Sequence, residues 1–412
     1  MKTGMMSTSR LKQLLDEQQV ETPIHAIVRA LGGEGSMSAA ALCRATNLAK
    51  STVSVALADL KNSGIVVDSV IRERNNGKAG RPAREVQLNP NAGTCVGIHL
   101  ELGGLRLCVA DVSHSIIDEL YIPIHQDYAP IQGLTAARAG IEKLYKSNSL
   151  ARSHLLGIGI SISSPVTPEG VIHKASILPS WAGVNAKELF SNELNAPIFT
   201  DNESNCAAIA ELMWGSAANE KDFVLLKIDL GVGGAIVSNG SVIRGIAGGA
   251  GEFGHMMIDP HGALCRCGNR GCLELTASFR EPVQQMSAIL GRPSSIDEII
   301  LMAERGDMGA RRLVSNCGQA AGRGLAAICA VLNPPIIIVS GRGALAGEML
   351  IGPLKFEFEN HALIKSAELA AENRTVIKMG KFTHNDSLLG AVGLVLRSLS
   401  SSLSPQLILN SP

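Results

Sequence analysis

Between residues 24 and 64 apolar positions recur at helical spacing. IHAIVRAL (24–31) is the first such run, and GGEG (32–35) ends it. SMSAAALCRAT (36–46) opens on serines that can cap a helix and continues in Ala-rich helix formers. NLAK (47–50) is a short turn, and STVSVALADLKNSG (51–64) predicts a third helix closed by Gly64. Val53, Leu57 and Leu60 fall on one stripe of that helix and would pack against the first two. IVVDSVIRERNNGKAGRPAREVQL (65–88) then reads as two extended runs around an Asn- and Gly-rich turn. From about residue 94 the texture becomes strand, glycine turn and helix in alternation. TCVGIHLELGGLRLCVADV (94–112) reads as a hairpin hinged on Gly103–Gly104, and LLGIGISISSPV (155–166) and APIFTDNESNCAAIAEL (196–212) as strand–loop units. FVLLKIDLGVGGAIVSNG (223–240) is a strand, a glycine turn and a strand, and IIIVSGRGAL (336–345) a buried strand ending in glycines. Two strand–glycine–strand hairpins so far apart predict two related α/β lobes.

Three short helices followed by a ribbon predict a winged helix-turn-helix at the N-terminus. Its third helix leaves Lys50, Ser51, Thr52 and Val55 at an exposed end, suited to base edges in a major groove. The ribbon carries Arg72, Arg74, Lys78 and Arg81, which would hold phosphates; Arg81, between Gly80 and Pro82, could reach a minor groove. A three-helix packing or dimerisation module is the alternative. Charge supports a polyanionic partner: residues 1–90 hold 12 Lys/Arg and 8 Asp/Glu, net +4, while the whole chain has 37 of each. No aromatic lies in that segment for base stacking, which favours duplex DNA over RNA.

With 412 residues, 46% apolar and 18% charged, the chain is long enough for two to four domains and too apolar for disorder. It has no unbroken apolar run of about 18 residues to span a membrane. MKTGMMSTSRLKQLLDEQQ is too polar for a secretory signal, so a cytoplasmic location without membrane insertion is expected. Nine cysteines, three of them within 265–272, indicate thiols or metal in place of disulfides. The densest signal is EFGHMMIDPHGALCRCGNRGCLE (252–274). There His255, Cys265, Cys267 and Cys272 follow H-x9-C-x-C-x4-C, a closed ligand set of the kind that holds structural Zn2+. His261 is a competing nitrogen ligand.

The GRP ribbon, GVGGAIV (231–237) and the EFGH…CRCGNRGCLE block together resemble the ROK family of repressors and sugar kinases, in its transcription-factor branch. The resemblance implies an α/β fold: a winged helix-turn-helix joined to a two-lobed actin/hexokinase-like domain with a sugar in its cleft. The expected boundaries are a tail at 1–20, the DNA-binding domain at 21–90, a first lobe at 91–200 completed by a helix at 385–400, and a second lobe at 201–384 with the zinc loop. Residue by residue, it implies sugar contacts from Asn202 and the adjoining Glu203, from Glu252 and His255, and from Glu274. His255 would turn one ring nitrogen to zinc and the other to the sugar. For Asn202 and Glu274 a helix cap or a salt-bridge partner is the alternative. Ile177 stands where many members have Asn, which leaves the sugar's identity open.

Family kinases read D-x-G-G-T at the first phosphate cradle. HLELGGL (99–105) has His99 for the Asp, Leu105 for the Thr, and two extra residues. Glu203 replaces the catalytic Asp, while Gly231, Gly233, Gly234 and Gly341-Arg342-Gly343 persist. The expectation is a sugar-responsive repressor that binds operator DNA as a homodimer or tetramer, with a free or phosphorylated sugar as effector and no kinase activity. The alternatives are an ATP-dependent sugar kinase and a repressor controlled by a transporter protein partner. SSLSPQLILNSP (401–412) reads as a polar tail.

Overall fold

The computed structural model describes residues 10–16, 22–69, 85–174, 177–218, 220–364, 369–370 and 373–401. The chain divides into two compact units, 1–161 with 186–200 and 391–412, and 162–185 with 201–390. The segment 162–185, expected in the first lobe, thus clusters with the second. The helix Asp386–Ser401 gives its first residues to the second unit and the rest to the first.

In the first unit residues 10–16, expected within a tail, form the helix Arg10–Asp16, where Leu11 is fully buried and Lys12 donates to the carbonyl of Leu155. Leu11 and Leu14, three apart, supply the helical spacing. The helix Pro23–Glu34 starts from a Thr22 cap with Pro23 in its first turn. It runs through Gly32 and Gly33 and ends within GGEG, at a Gly35 cap with positive φ. Ser38 caps Ala39–Thr46, Asn47 takes the left-handed conformation, and the helix Lys50–Asn62 follows. Strands β1 (Met37–Ser38), β2 (Val66–Asp68) and β3 (Glu85–Leu88) form an antiparallel sheet in the order β1-β3-β2. Ile27, Val28, Leu31, Leu42, Val53, Leu57, Leu60, Val86 and Leu88 are its buried apolar core. Arg72, Arg74, Lys78 and Arg81 lie outside the described residues.

The same unit holds the sheet β4 (Thr94–Glu101), β5 (Gly104–Asp111), β6 (Ile116–Pro123), β7 (Leu155–Ile162) and β8 (Ile198–Asn202), ordered β6-β5-β4-β7-β8. The expected hairpin is β4–β5, with β6 added as an edge strand of alternating burial. β7 is buried at every position, as fits a strand covered on both faces. His114, after β5, hydrogen-bonds the carbonyl of Gly32 at 3.1 Å and so ties the three-helix module to this sheet; burial pushes its imidazole down to about 4.

The second unit is built on β9 (Phe223–Ile228), β10 (Val232–Ser238), β11 (Ser241–Ile243), β12 (Ile336–Ser340) and β13 (Val376–Met379), ordered β11-β10-β9-β12-β13. β9, β12 and β13 run parallel, and β10 and β11 antiparallel. Leu226, Ile228, Ile337 and Val339 pack against Val314, Ala321 and Leu325 of the helix Met308–Leu332 and Leu350 and Leu354 of Glu348–His361. Among the described residues no helix is long and apolar enough to cross a membrane.

Candidate functional site

The loop after β11 has little regular structure of its own. A single helical turn, Phe253–His255, ends on His255, and Cys272 caps the short helix Leu273–Ala277. Isolated bridges join Met257 to Cys272 and Leu264 to Arg270. Gly271 sits at φ +59° with a Cβ position that would collide with the carbonyl of Asp259, so only glycine fits beside the last thiol. The ligand atoms of His255, Cys265, Cys267 and Cys272 all lie within 4.8 Å of one another. His255 Nδ1 is 3.6 Å from Cys265 Sγ, and Cys267 Sγ 3.7 Å from Cys272 Sγ. One imidazole and three thiols, two of them buried, fit a tetrahedral thiophilic ion. His261 is exposed and outside the cluster.

A polar cluster adjoins this loop. Arg266 donates Nε to Glu274 Oε1 at 3.1 Å and brings its terminal nitrogen to 3.4 Å from His255 Nε2. Glu274 Oε2 accepts from the amide of Val232 at 3.3 Å, which fastens it to the glycine turn before β10. Asn202 caps the helix Glu203–Trp214 by accepting from Ser204 N at 2.7 Å, and donates Nδ2 to the carbonyl of Ser164 at 2.9 Å. The cap and the ion pair weighed as alternatives for Asn202 and Glu274 are therefore both present. Glu203 Oε2 accepts from Ser163 Oγ at 2.9 Å and lies 3.9 Å from Lys227 Nζ. Lys227 in turn donates to Asp386 Oδ1 at 2.9 Å and Ser387 Oγ at 2.5 Å.

Burial sets the acid–base character of this cluster. It raises the Glu203 carboxyl, against the opposing pull of Lys227 and Ser163. Burial by itself lowers Lys227, but Asp386, Glu203 and Asp229 outweigh it and keep the ammonium charged. Glu252 is pushed up to about 7, chiefly by burial, with Glu203 and Glu274 adding to it and Arg266 opposing. A carboxyl whose folded value exceeds the ordinary 4.5 contributes stability fully present below the unfolded value and lost as pH rises through the folded one. Glu252→Gln is therefore expected to gain melting temperature relative to wild type between pH 5 and 8. A difference constant across that window would show Glu252 ionised throughout.

In the first unit Lys50, Ser51 and Val55 are exposed and Thr52 half-buried at the start of Lys50–Asn62, and Ser54 and Ala58 share that open face. Val55, 64% exposed, is one of the large apolar side chains left open to solvent among the described residues. His99 is buried with Nδ1 3.1 Å from Ser161 Oγ, and Leu105 is fully buried in β5. The sequence reading did not single out Lys227, Arg266, Asp229 or Asp386. A lysine inside the apolar run FVLLKI was the visible signal for the first; an arginine between two metal-type cysteines was the signal for the second.

A profile of the ROK family matches residues 97–398, and the chain belongs to that family. The xylose repressor of Caldicellulosiruptor bescii is 26% identical over 376 residues, covering 87% of this chain and 92% of that protein. A glucokinase of Halalkalibacterium halodurans is 27% identical over 289 residues, covering 66% and 87%. The crystal structure of a ROK family transcriptional regulator, described as a homologue of the E. coli MLC protein, superimposes with a TM-score of 0.71 at 23% identity over 92% of this chain and 97% of its own. That likeness establishes the α/β ROK fold.

Proposed function

We propose that this protein is a DNA-binding transcriptional repressor of sugar uptake or catabolism genes whose operator affinity changes when it binds a sugar. The observation that carries this is the open polar end of Lys50–Asn62, preceded by a capped helix and a left-handed turn, in one chain with a ROK polar cluster. Residues 21–90 act as a winged helix-turn-helix. Lys50, Ser51, Thr52 and Val55 meet base edges, and Arg72, Arg74, Lys78 and Arg81 meet phosphates or a minor groove. A homodimer or tetramer pairs two such helices on a pseudo-palindromic operator.

Asn202, Glu203, Glu252, His255 and Glu274 hold the sugar's hydroxyls; carboxylates and amides suit vicinal hydroxyls because both can accept two hydrogen bonds. His255, Cys265, Cys267 and Cys272 hold a structural Zn2+, which fixes the loop and leaves no ligand position for water. Arg266, between two of those ligands, keeps Glu274 oriented. The repressor relative matches 87% of this chain and the glucokinase relative 66%, which favours a regulator over a kinase. His99, Leu105 and Glu203 favour it too.

Fluorescence anisotropy on the protein's own upstream DNA, with a panel of free and phosphorylated sugars, tests it. One sugar should weaken binding by roughly 5–150-fold, the usual range of allosteric coupling. Tight binding indifferent to every sugar would point to a transporter partner. ATP turnover with a sugar, abolished in Glu203→Gln, would establish a kinase.

A further inference from the structure

The turn between β9 and β10 begins with Asp229, whose carboxylate is surrounded by donors. Leu230 N donates to Oδ1 at 2.7 Å, and Arg342 N donates to Oδ2 at 3.1 Å. Arg342 adds a two-pronged contact from its guanidinium, with Nη2 2.6 Å from Oδ1 and Nε 3.0 Å from Oδ2. Two backbone amides and a guanidinium fork converging on one point are the donors that recognise phosphoryl and sulfuryl oxygens as readily as carboxylates. The receptor is rigid. Gly341, which aims the Arg342 amide, sits at φ +82° against the carbonyl of Ile228, and Asp229 is itself pinned through its carbonyl to Phe279 N. It is also reachable by a small solute, because the Asp229 and Arg342 side chains are 22% and 29% exposed.

We propose that this is an oxyanion site that the chain fills with its own carboxylate, so that Asp229 excludes a phosphoryl group from the turn beside Glu203. Burial by itself would raise the Asp229 carboxyl, but the Arg342 hydrogen bonds and charge carry it down to about 2, so the plug is an anion at every physiological pH. Being tethered, it competes as an intramolecular ligand against a dilute free anion. The Asp229 charge also adds to the pull that keeps Lys227 protonated. None of this depends on what the chain binds at its DNA-type or sugar-type residues.

The test is binding of inorganic phosphate to the full-length chain, by calorimetry and thermal shift in a buffer free of other oxyanions. Wild type should show neither heat nor stabilisation at millimolar phosphate. Asp229→Ala should bind phosphate on the order of tenfold or more tightly, the worth of a charge-assisted hydrogen bond set free. Asp229→Ala/Arg342→Ala should return to indifference. Should Asp229→Ala fail to fold by circular dichroism, Asp229→Asn, which keeps the shape and loses the charge, should show a smaller gain over wild type. Phosphate binding by wild type as tight as by the variants would overturn the proposal. So would folded variants that gain none, or a gain that survives loss of the Arg342 side chain.

Discussion

Cys265→Ser is expected to abolish the proposed zinc binding and to lower stability by several kcal/mol. Serine offers a hard oxygen that stays protonated where a thiolate would bind, leaving three ligands for an ion that wants four. The residues around the four ligands have little regular structure: one helical turn, two isolated bridges and scattered turn hydrogen bonds. Arg266 contacts both Glu274 and His255, so under the proposed function sugar affinity should fall together with metal content. Elemental analysis of the wild-type protein should give about one zinc per chain. Cys43→Ser, at a thiol that is not among the four ligands, should leave metal and melting temperature unchanged. Full metal content and wild-type melting in Cys265→Ser would mean that the four side chains serve another purpose.

Lys227→Met should cost roughly 3–5 kcal/mol, the usual cost of removing one partner of a buried ion pair. Lys227 and Asp386 are 7% and 1% exposed, and water cannot take over for either. Asp386 Oδ1 would lose its ammonium donor, while Oδ2 has no hydrogen-bond partner among the described residues. Glu203 would lose its nearest cation at the same time. The diagnostic comparison is the double variant. Adding Asp386→Asn to Lys227→Met removes the stranded charge, so it should recover a good part of the loss in urea unfolding. A single variant within 1 kcal/mol of wild type, or a double variant worse than the single, would show the pair to be dispensable.

Much of the architecture was legible because it is written locally. Val53, Leu57 and Leu60 mark the buried face of their helix by spacing alone, and all three are buried. Ser38 and Asn47 bound the preceding helix through side-chain and backbone preferences that need no tertiary partner. The four metal-type ligands run from His255 to Cys272, a separation of 17 positions, so a short loop with glycines in it suffices to bring them together. Gly103 and the strands around it define their hairpin for the same reason.

Tertiary packing decided the rest. The short helix at Arg10–Asp16 has only seven residues, too few to be stable without something to bury Leu11 against. Residues 162–185 carry no local mark of which unit they join. The pairs that give the polar cluster its character are remote in the chain: Ser163 and Glu203 by 40 residues, Asp229 and Arg342 by 113, Lys227 and Asp386 by 159. A lysine inside an apolar strand announces that a partner must exist, since a buried charge is untenable alone, but names none. Which carboxylate answers it depends on the parallel placement of β12 beside β9 and on where the helix Asp386–Ser401 begins. Those are properties of long-range pairing, set by the whole fold's competition to bury apolar surface, and periodicity along the chain does not encode them.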